Sequence, residues 1–335
     1  MKILVSSHAF APSIGGIETV SGVLADEFCR MGHEVTVVTQ TPDGDHDGFR
    51  IVRRPSNSEL FGLVKWCDIF WHNNLSLRTV WPALLLRKPL VITHQGSYSR
   101  RPSGFDLALR LKHALAGRTK SVAISRFVAS FFKPEPIVIP NPYDVRTFTL
   151  ASAGAERTGD LIFVGRLVSE KGLDLLFESL GRLRSRGLKP RLMVVGSGPE
   201  ERSLQQLADR LGIRDQIDFA GAKRGAELSE VLNRHKILVV PSRYDEPFGV
   251  VALEGIACGG VVVGSSGGGL PEAIGPCGIT FPNNNAEALG HAIEHLLASP
   301  DDRQRLAANR PEHLARFHPA TIAESYLNLF RSLLS

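Results

Sequence analysis

The stretch Ile237-Leu-Val-Val-Pro-Ser-Arg-Tyr-Asp-Glu-Pro-Phe-Gly-Val-Val-Ala-Leu-Glu254 passes from strand to helix within eighteen residues. Ile237–Val240 is a short apolar run bounded by a turn signal, the composition of a buried strand. Pro241 and Ser242 turn the chain, Asp245 and Glu246 form an acidic corner, and a helical pattern opens near Phe248 and Gly249. Two carboxylates flank that helix start, Glu246 just before it and Glu254 about two turns in. A helix N-terminus presents unpaired N–H groups and the positive end of its dipole, which favours a phosphate. Carboxylates beside it suit polyols, because each oxygen accepts from a sugar hydroxyl. Acids at a helix start also complement the dipole without any ligand, so the stretch alone leaves both readings open.

Outward from this stretch, the same alternation runs through the whole chain. In the first half Ile3–Val5, Glu34–Thr39, Phe49–Val52, Asp68–Trp71, Leu90–Thr93, Ser121–Ile124 and Ile137–Ile139 read as strands, with a helix over about 17–31 and helical stretches between most of the others. The pattern breaks at 149–160, a small and polar segment without periodicity that reads as a linker. Alternation then resumes: strand Leu161–Val164, helix 170–186, strand Arg191–Val195, helix 200–211, strand Ile217–Phe219, helix 225–234, strand Ile237–Val240 with its helix, and strand Val261–Gly264. Such alternation predicts βαβ units and parallel sheets covered on both faces. The expected architecture is α/β, two tandem doubly wound domains at 1–148 and 161–318, with the helix at 320–334 closing the chain. Ligands of such sheets bind outside the carboxyl ends of the strands, and two facing sheets would share one cleft.

Composition fits this division. A chain of 335 residues is long for one domain. No run approaches the ~18 apolar residues of a membrane span, and Met-Lys-Ile-Leu-Val-Ser-Ser reads as a first strand and not as a signal peptide. Cys29, Cys67, Cys258 and Cys277 are scattered, which points to a reducing cytoplasm and to no metal cluster. The net charge of +5 is uneven: residues 1–148 carry 18 Lys+Arg against 12 Asp+Glu, the remainder 21 against 22. Within 69–134, eleven basic residues accompany one acid, Asp106. A basic half suits nucleic acid, an anionic membrane or an anionic substrate; with no nucleic-acid motif beside the charge, nucleic acid is not expected.

Several further groups bear on chemistry. Gly15 and Gly16 lie between the first strand and first helix, where glycine allows close approach of a phosphate or sugar. The spacing is not that of a dinucleotide fingerprint; in Gly196-Ser-Gly198 the third glycine position is Glu201. Arg166, at a strand's carboxyl end, and Lys171, at the start of the next helix, could neutralise a diphosphate. Asp43-Gly-Asp-His-Asp47 copies half a calcium loop, but Arg54 occupies the closing ligand position, so it reads as a solvated turn. His94 ends a strand on the ligand edge, whereas His72, at a similar strand end, reads as structural. Phe105–Lys120 forms an amphipathic helix that either covers its own sheet or lies on an anionic membrane.

In order and spacing these groups resemble the retaining glycosyltransferases of family 4, which have the GT-B fold of two Rossmann-like domains facing a central cleft. The resemblance covers nearly the whole chain. It rests on Gly15-Gly16-Ile17, His94, Ile139-Pro-Asn141, Phe163-Val-Gly-Arg166 with Lys171, Val195-Gly-Ser-Gly-Pro199, Phe219-Ala-Gly221, the Glu246/Glu254 pair and Gly268-Gly-Leu-Pro-Glu272. It implies a nucleotide-sugar donor, most commonly a UDP-sugar, held mainly by the second domain. Glu254 would accept from the ribose hydroxyls. Glu246, with the N–H groups of Phe248 and Gly249, would hold the transferred sugar. The N–H groups of Val250 and Val251, with Arg166 and Lys171, would hold the diphosphate. Gly15 and Gly16 would approach it from the first domain, His94 would contact the sugar, and backbone near Ala222 would meet the base. Lys223 departs from the apolar residue typical there. The resemblance also implies that the last helix packs back on the first domain.

The expected activity is metal-independent and retaining, without cofactor, toward a glycan or lipid-linked acceptor, in the cytoplasm or peripherally on the inner membrane face through residues 69–134. Rival classes are a nucleotide-sugar-binding protein without turnover and another GT-B enzyme, such as a nucleotide-sugar epimerase.

Overall fold

A computed structural model describes residues 1–12, 15–44, 47–96, 107–151 and 157–335. The chain divides into two compact units, one made of Met1–Asp144 with Phe317–Ser335, the other of Val145–Arg316.

The first unit runs β1 (Lys2–Ser6), α1 (Gly16–Arg30), β2 (Glu34–Thr39), β3 (Arg50–Arg53), α2 (Asn57–Trp66), β4 (Ile69–Asn73), α3 (Leu77–Leu86), β5 (Leu90–His94), α4 (Leu107–Ala116), β6 (Lys120–Ala123), α5 (Arg126–Ala129) and β7 (Ile137–Val138). Its strands form a seven-stranded sheet in the order β3-β2-β1-β4-β5-β6-β7, parallel throughout. Because β2 and β3 are parallel, the segment between them must return the chain to the starting end of the sheet. Asp45 and His46 of that segment lie outside the described residues, as do Phe105 and Asp106 of the expected 105–120 helix; α4 ends at Ala116, before Gly117.

The second unit runs β8 (Gly159–Val164), α6 (Leu173–Ser185), β9 (Leu192–Val195), α7 (Glu201–Arg210), β10 (Ile217–Phe219), α8 (Gly225–Arg234), β11 (His235–Val240), α9 (Val250–Ala257), β12 (Val261–Ser265), α10 (Leu270–Ile274), β13 (Gly278–Phe281), α11 (Ala286–Ala298), α12 (Pro300–Ala308) and α13 (Arg310–Ala315). Its parallel sheet has the order β10-β9-β8-β11-β12-β13. β13 escapes the sequence pattern because it opens on Gly278, where a Cβ would stand 2.1 Å from the Val262 carbonyl oxygen. Residues 152–156 of the expected linker lie outside the described residues; on its near side Asn233 bonds Thr149 O and Ala151 N, each at 2.9 Å.

The last helix, α14 (Pro319–Leu334), belongs to the first unit, where Phe330 meets Phe28 of α1 at 5.8 Å between ring centroids. Tyr326 Oη pairs with Thr93 Oγ1 at 2.9 Å, and that oxygen also accepts from Trp71 Nε1 at 2.9 Å. Burying these three polar groups is tolerable because each has a partner.

His72, by contrast, is buried without such partners among the described residues. It is fully buried in β4 with its ring 4.4 Å from that of Phe70, and neither ring nitrogen has a partner among the described residues. Burial pushes its pKa down from 6.5 to about 3. Above pH 6.5 both folded and unfolded forms are neutral and the full stability is present. As pH falls from there toward 3, only the unfolded chain takes up the proton, and stability drains away. By pH 5 this one group costs about 2 kcal/mol. Urea unfolding at pH 7.5 and 5.0 should show His72→Leu at least as stable as wild type at the higher pH, since it removes two unsatisfied groups, and less weakened at the lower.

Candidate functional site

Strand order reverses between β8 and β11, which are hydrogen-bonded neighbours with Phe163 opposite Val239. A crevice at the carboxyl ends of such a pair is the ligand position of doubly wound sheets. The loop after β8 carries Arg166 and Lys171; the loop after β11 carries Ser242, Tyr244 and Glu246. Residues 75 positions apart thereby meet: Lys171 Nζ lies 2.6 Å from Glu246 Oε1.

Glu246 is only 6% exposed, and both of its oxygens are engaged. Oε1 also accepts from Ser242 Oγ at 2.6 Å, and Oε2 accepts from Tyr244 Oη at 2.6 Å. Lys171 Nζ stands 3.3 Å from Tyr244 Oη and 5.3 Å from the centre of its ring. Burial, then the charge of Glu246 and its hydrogen bond, push the Tyr244 pKa up, so the phenol keeps its proton and donates. Arg166 is exposed, and its charge opposes that rise, which places it within electrostatic reach of the same group.

Alternate residues of the loop face opposite ways. Ser242, Tyr244 and Glu246 make the cluster, whereas Arg243 forks onto Asp174 at 2.7 and 3.1 Å and Asp245 meets Asn283 at 3.4 Å. Sequence reasoning missed Ser242 and Tyr244; the alternation 242, 244, 246 was the signal available. Lys171 stands differently from expectation as well. It ends a 3-10 turn over Ser169–Lys171, and the expected helix at 170–186 begins only at Leu173, because Gly172 takes φ +68°.

Glu246 leads directly into α9. Pro247 has no N–H, Phe248 is buried, and Gly249 takes φ +102°, so the helix starts at Val250 and Glu254 stands little more than one turn in, closer to its start than the pattern indicated. Ala252 N reaches Gly249 O at 3.0 Å, which leaves the amides of Val250 and Val251 ahead of the first closed turn. Gly268 and Gly269 brace this corner: Gly269 N donates to Glu246 O at 2.7 Å. Ala222 is exposed in the loop after β10, whose Gly221 O accepts from Gly196 N at 2.8 Å.

The remaining expected residues lie in the first unit. Gly15 precedes α1 and Gly16 opens it; a Cβ on Gly16 would find no described atom within 4 Å. Asn73, at the end of β4, fixes this helix start by donating to Ile17 O at 3.3 Å and Ser21 Oγ at 2.7 Å. His94 ends β5 as expected, yet its ring is buried against Phe132 at 4.0 Å between centroids. Burial, and then the charge of His113, push its pKa down to about 4. It shares strand parity with the core residues Leu90 and Ile92, which puts it on their face of the sheet, opposite Thr93.

The comparisons with known proteins bear on this geometry. The family model Glycosyl transferases group 1 matches residues 149–313. That segment, just under half of the chain, is similar to the group 1 glycosyl transferases. It holds Arg166, Lys171, Glu246 and Glu254, and nearly coincides with the second unit. A D-inositol 3-phosphate glycosyltransferase of Stackebrandtia nassauensis is 37% identical over 50% of this chain and 40% of its own length. The chain thus spans well under half of that relative, as it does of a second one from Saccharomonospora viridis, of which it covers 43%. A glycogen synthase of Mycobacterium tuberculosis is 27% identical over 98% of this chain and 94% of its own. Among solved structures, a glycosyltransferase from Rickettsia africae has a TM-score of 0.82 at 18% identity, covering 100% of this chain and 98% of that one. HepE of Anabaena in complex with UDP and glucose has 0.80 at 19%, covering 99% and 100%. The fold of the chain is GT-B.

Two glycine substitutions should separate packing from function. A Cβ on Gly172 would stand 2.0 Å from Pro241 O, in a backbone region side chains avoid. Gly172→Ala should cost roughly 1–3 kcal/mol or more in urea unfolding, while Gly16→Ala leaves stability unchanged or slightly raised.

Proposed function

We propose that this protein is a retaining, metal-independent glycosyltransferase that moves a sugar from a nucleotide-sugar donor, a UDP-sugar first among them, to a hydroxyl of a glycan or lipid-linked acceptor. The observation that carries the reading is the meeting of Lys171, Ser242 and Tyr244 on the Glu246 carboxylate, immediately ahead of α9 and within reach of Arg166. The UDP-glucose and UDP complexes of HepE support the donor class.

Each part has a task that follows from its chemistry. Cleaving the anomeric C–O bond leaves negative charge on the departing diphosphate. Arg166, Lys171 and the amides of Val250 and Val251 are the cationic and dipolar groups that stabilise it. Lys171 then divides its charge between Glu246 and phosphate, and these fixed cations do the neutralising that a metal ion would otherwise do. Glu246, held in place by Tyr244 and Ser242, accepts from hydroxyls of the transferred sugar. Glu254, one turn into α9, accepts from the ribose. No residue is assigned as a nucleophile: the acceptor oxygen forms its bond on the face the diphosphate leaves, its proton passes to that diphosphate, and configuration is retained.

Thermal shift with a panel of nucleotide sugars tests donor binding without knowledge of the acceptor. A true donor at a hundred times its Kd stabilises the fold by about 2.7 kcal/mol, and Glu254→Ala should lose that shift. No stabilisation by any member would remove the reading. In turnover assays Arg166→Ala and Lys171→Ala should each lower kcat on the order of 10²-fold or more; near-normal rates in both would assign the diphosphate to other groups. Donor binding without hydrolysis or transfer in the presence of acceptor extracts would favour a binding protein.

A further inference from the structure

α3 is apolar on both sides. Its inward face, Thr79, Val80, Pro82 and Ala83, is buried. Its outward face carries Trp81, Leu84 and Leu85, the i, i+3, i+4 spacing that normally marks the side of a helix turned to a core, while Leu77 packs on the core. Here that face meets water: Leu84 is 45% and Leu85 69% exposed, the latter the most exposed large apolar residue among those described. Phe61 of α2 stacks on Trp81 at 6.3 Å and 25°, extending the ridge onto the neighbouring helix.

The charges around the ridge are mostly basic; the exposed acid near its carboxyl end is Asp68, which accepts from Lys2 N at 2.7 Å and follows the Cys67 carbonyl that Lys88 bonds. Arg78 lies on the outward face itself, Arg87 follows the helix, and Lys65 stands one turn beyond Phe61 on α2; all three are exposed. From 69 to 105 the sequence contains no Asp or Glu. The nearby acid on α2, Glu59, lies on the other flank of that helix, where with Glu34, Arg50 and Trp66 it lines a separate groove of about 630 Å³.

We propose that the outward face of α3 docks on an anionic lipid bilayer. Leu84 and Leu85 enter the headgroup–acyl boundary, Trp81 lies at headgroup level with its ring braced by Phe61, and Arg78, Arg87 and Lys65 meet lipid phosphates. Charge decides for this occupant: an apolar ridge with a predominantly basic rim complements a surface that is apolar inside and anionic outside. The helix lies on the membrane and does not cross it; among the described residues no helix is long and apolar enough to span. Docking stands independently of the transferase reading, since it needs no donor.

Co-sedimentation of the full chain with vesicles tests it. Binding is expected to vesicles of phosphatidylcholine mixed with phosphatidylglycerol, weaker with phosphatidylcholine alone, and reduced by salt. The double variant Leu84→Ser/Leu85→Ser should keep its Tm and bind about tenfold more weakly or worse. Arg78→Glu/Lys65→Glu, which leaves the leucines in place, should lose the preference for anionic lipid. Absence of binding to the mixed vesicles overturns the proposal. So does equal binding by wild type and the leucine variant, which would move the contact to another surface such as α4. A wild-type dimer in light scattering that the leucine variant dissolves would also overturn it, because a second copy would then cover the ridge.

Discussion

A carboxylate with almost no access to water is costly unless its charge is answered, and the second unit is arranged around answering Glu246. Lysine, serine and tyrosine supply three donors to two oxygens, all at 2.6 Å. Two of these contacts are made within one loop, and the third, from Lys171, crosses 75 residues. The local pair requires the loop after β11 to alternate its side chains; the long-range one requires β8 and β11 to lie side by side and Gly172 to bend under Pro241 so that Lys171 can reach across. Glycine recurs here for the same reason: a Cβ on Gly196 would stand 1.8 Å from Gly165 O, and one on Gly268 2.2 Å from Glu246 O. These are glycines of backbone packing, whereas a Cβ on Gly16 would meet no described atom within 4 Å.

The strands were legible because a parallel sheet buries both faces of each strand and leaves a continuous apolar run, as in Ile237–Val240 and Ile69–Trp71. β13 was not, since a strand that starts on a packing glycine and carries Thr280 lacks such a run. Helix boundaries near the site were misjudged for a related reason. Gly172 and Gly249 each take a positive φ that ends or delays a helix, and a single sequence does not display a dihedral angle. Arg166, Lys171, Glu246 and Glu254 could be picked out singly by residue type and position. The bond between Lys171 and Glu246 could not, because it depends on which strands become neighbours. His94 shows the converse: its strand end was legible, but which way the ring points follows from the parity of Leu90 and Ile92 in a finished sheet.

Hydrophobic periodicity has a blind side that α3 exposes. Periodicity finds the face a helix turns to its core by contrast with a polar face. A helix apolar on both faces offers no contrast, and its inner and outer sides separate only once Val80 and Ala83 are seen buried and Leu84 and Leu85 are not.

The bond between Tyr326 and Thr93 spans 233 residues. A chain emerging from the ribosome has made every residue of the second unit before it makes α14. The second unit can therefore close its own core while the first, begun earlier, still lacks the helix that covers Trp71 and Phe28. The half of the protein that is synthesised first is the half completed last, and until then its aromatic face is what a chaperone would meet.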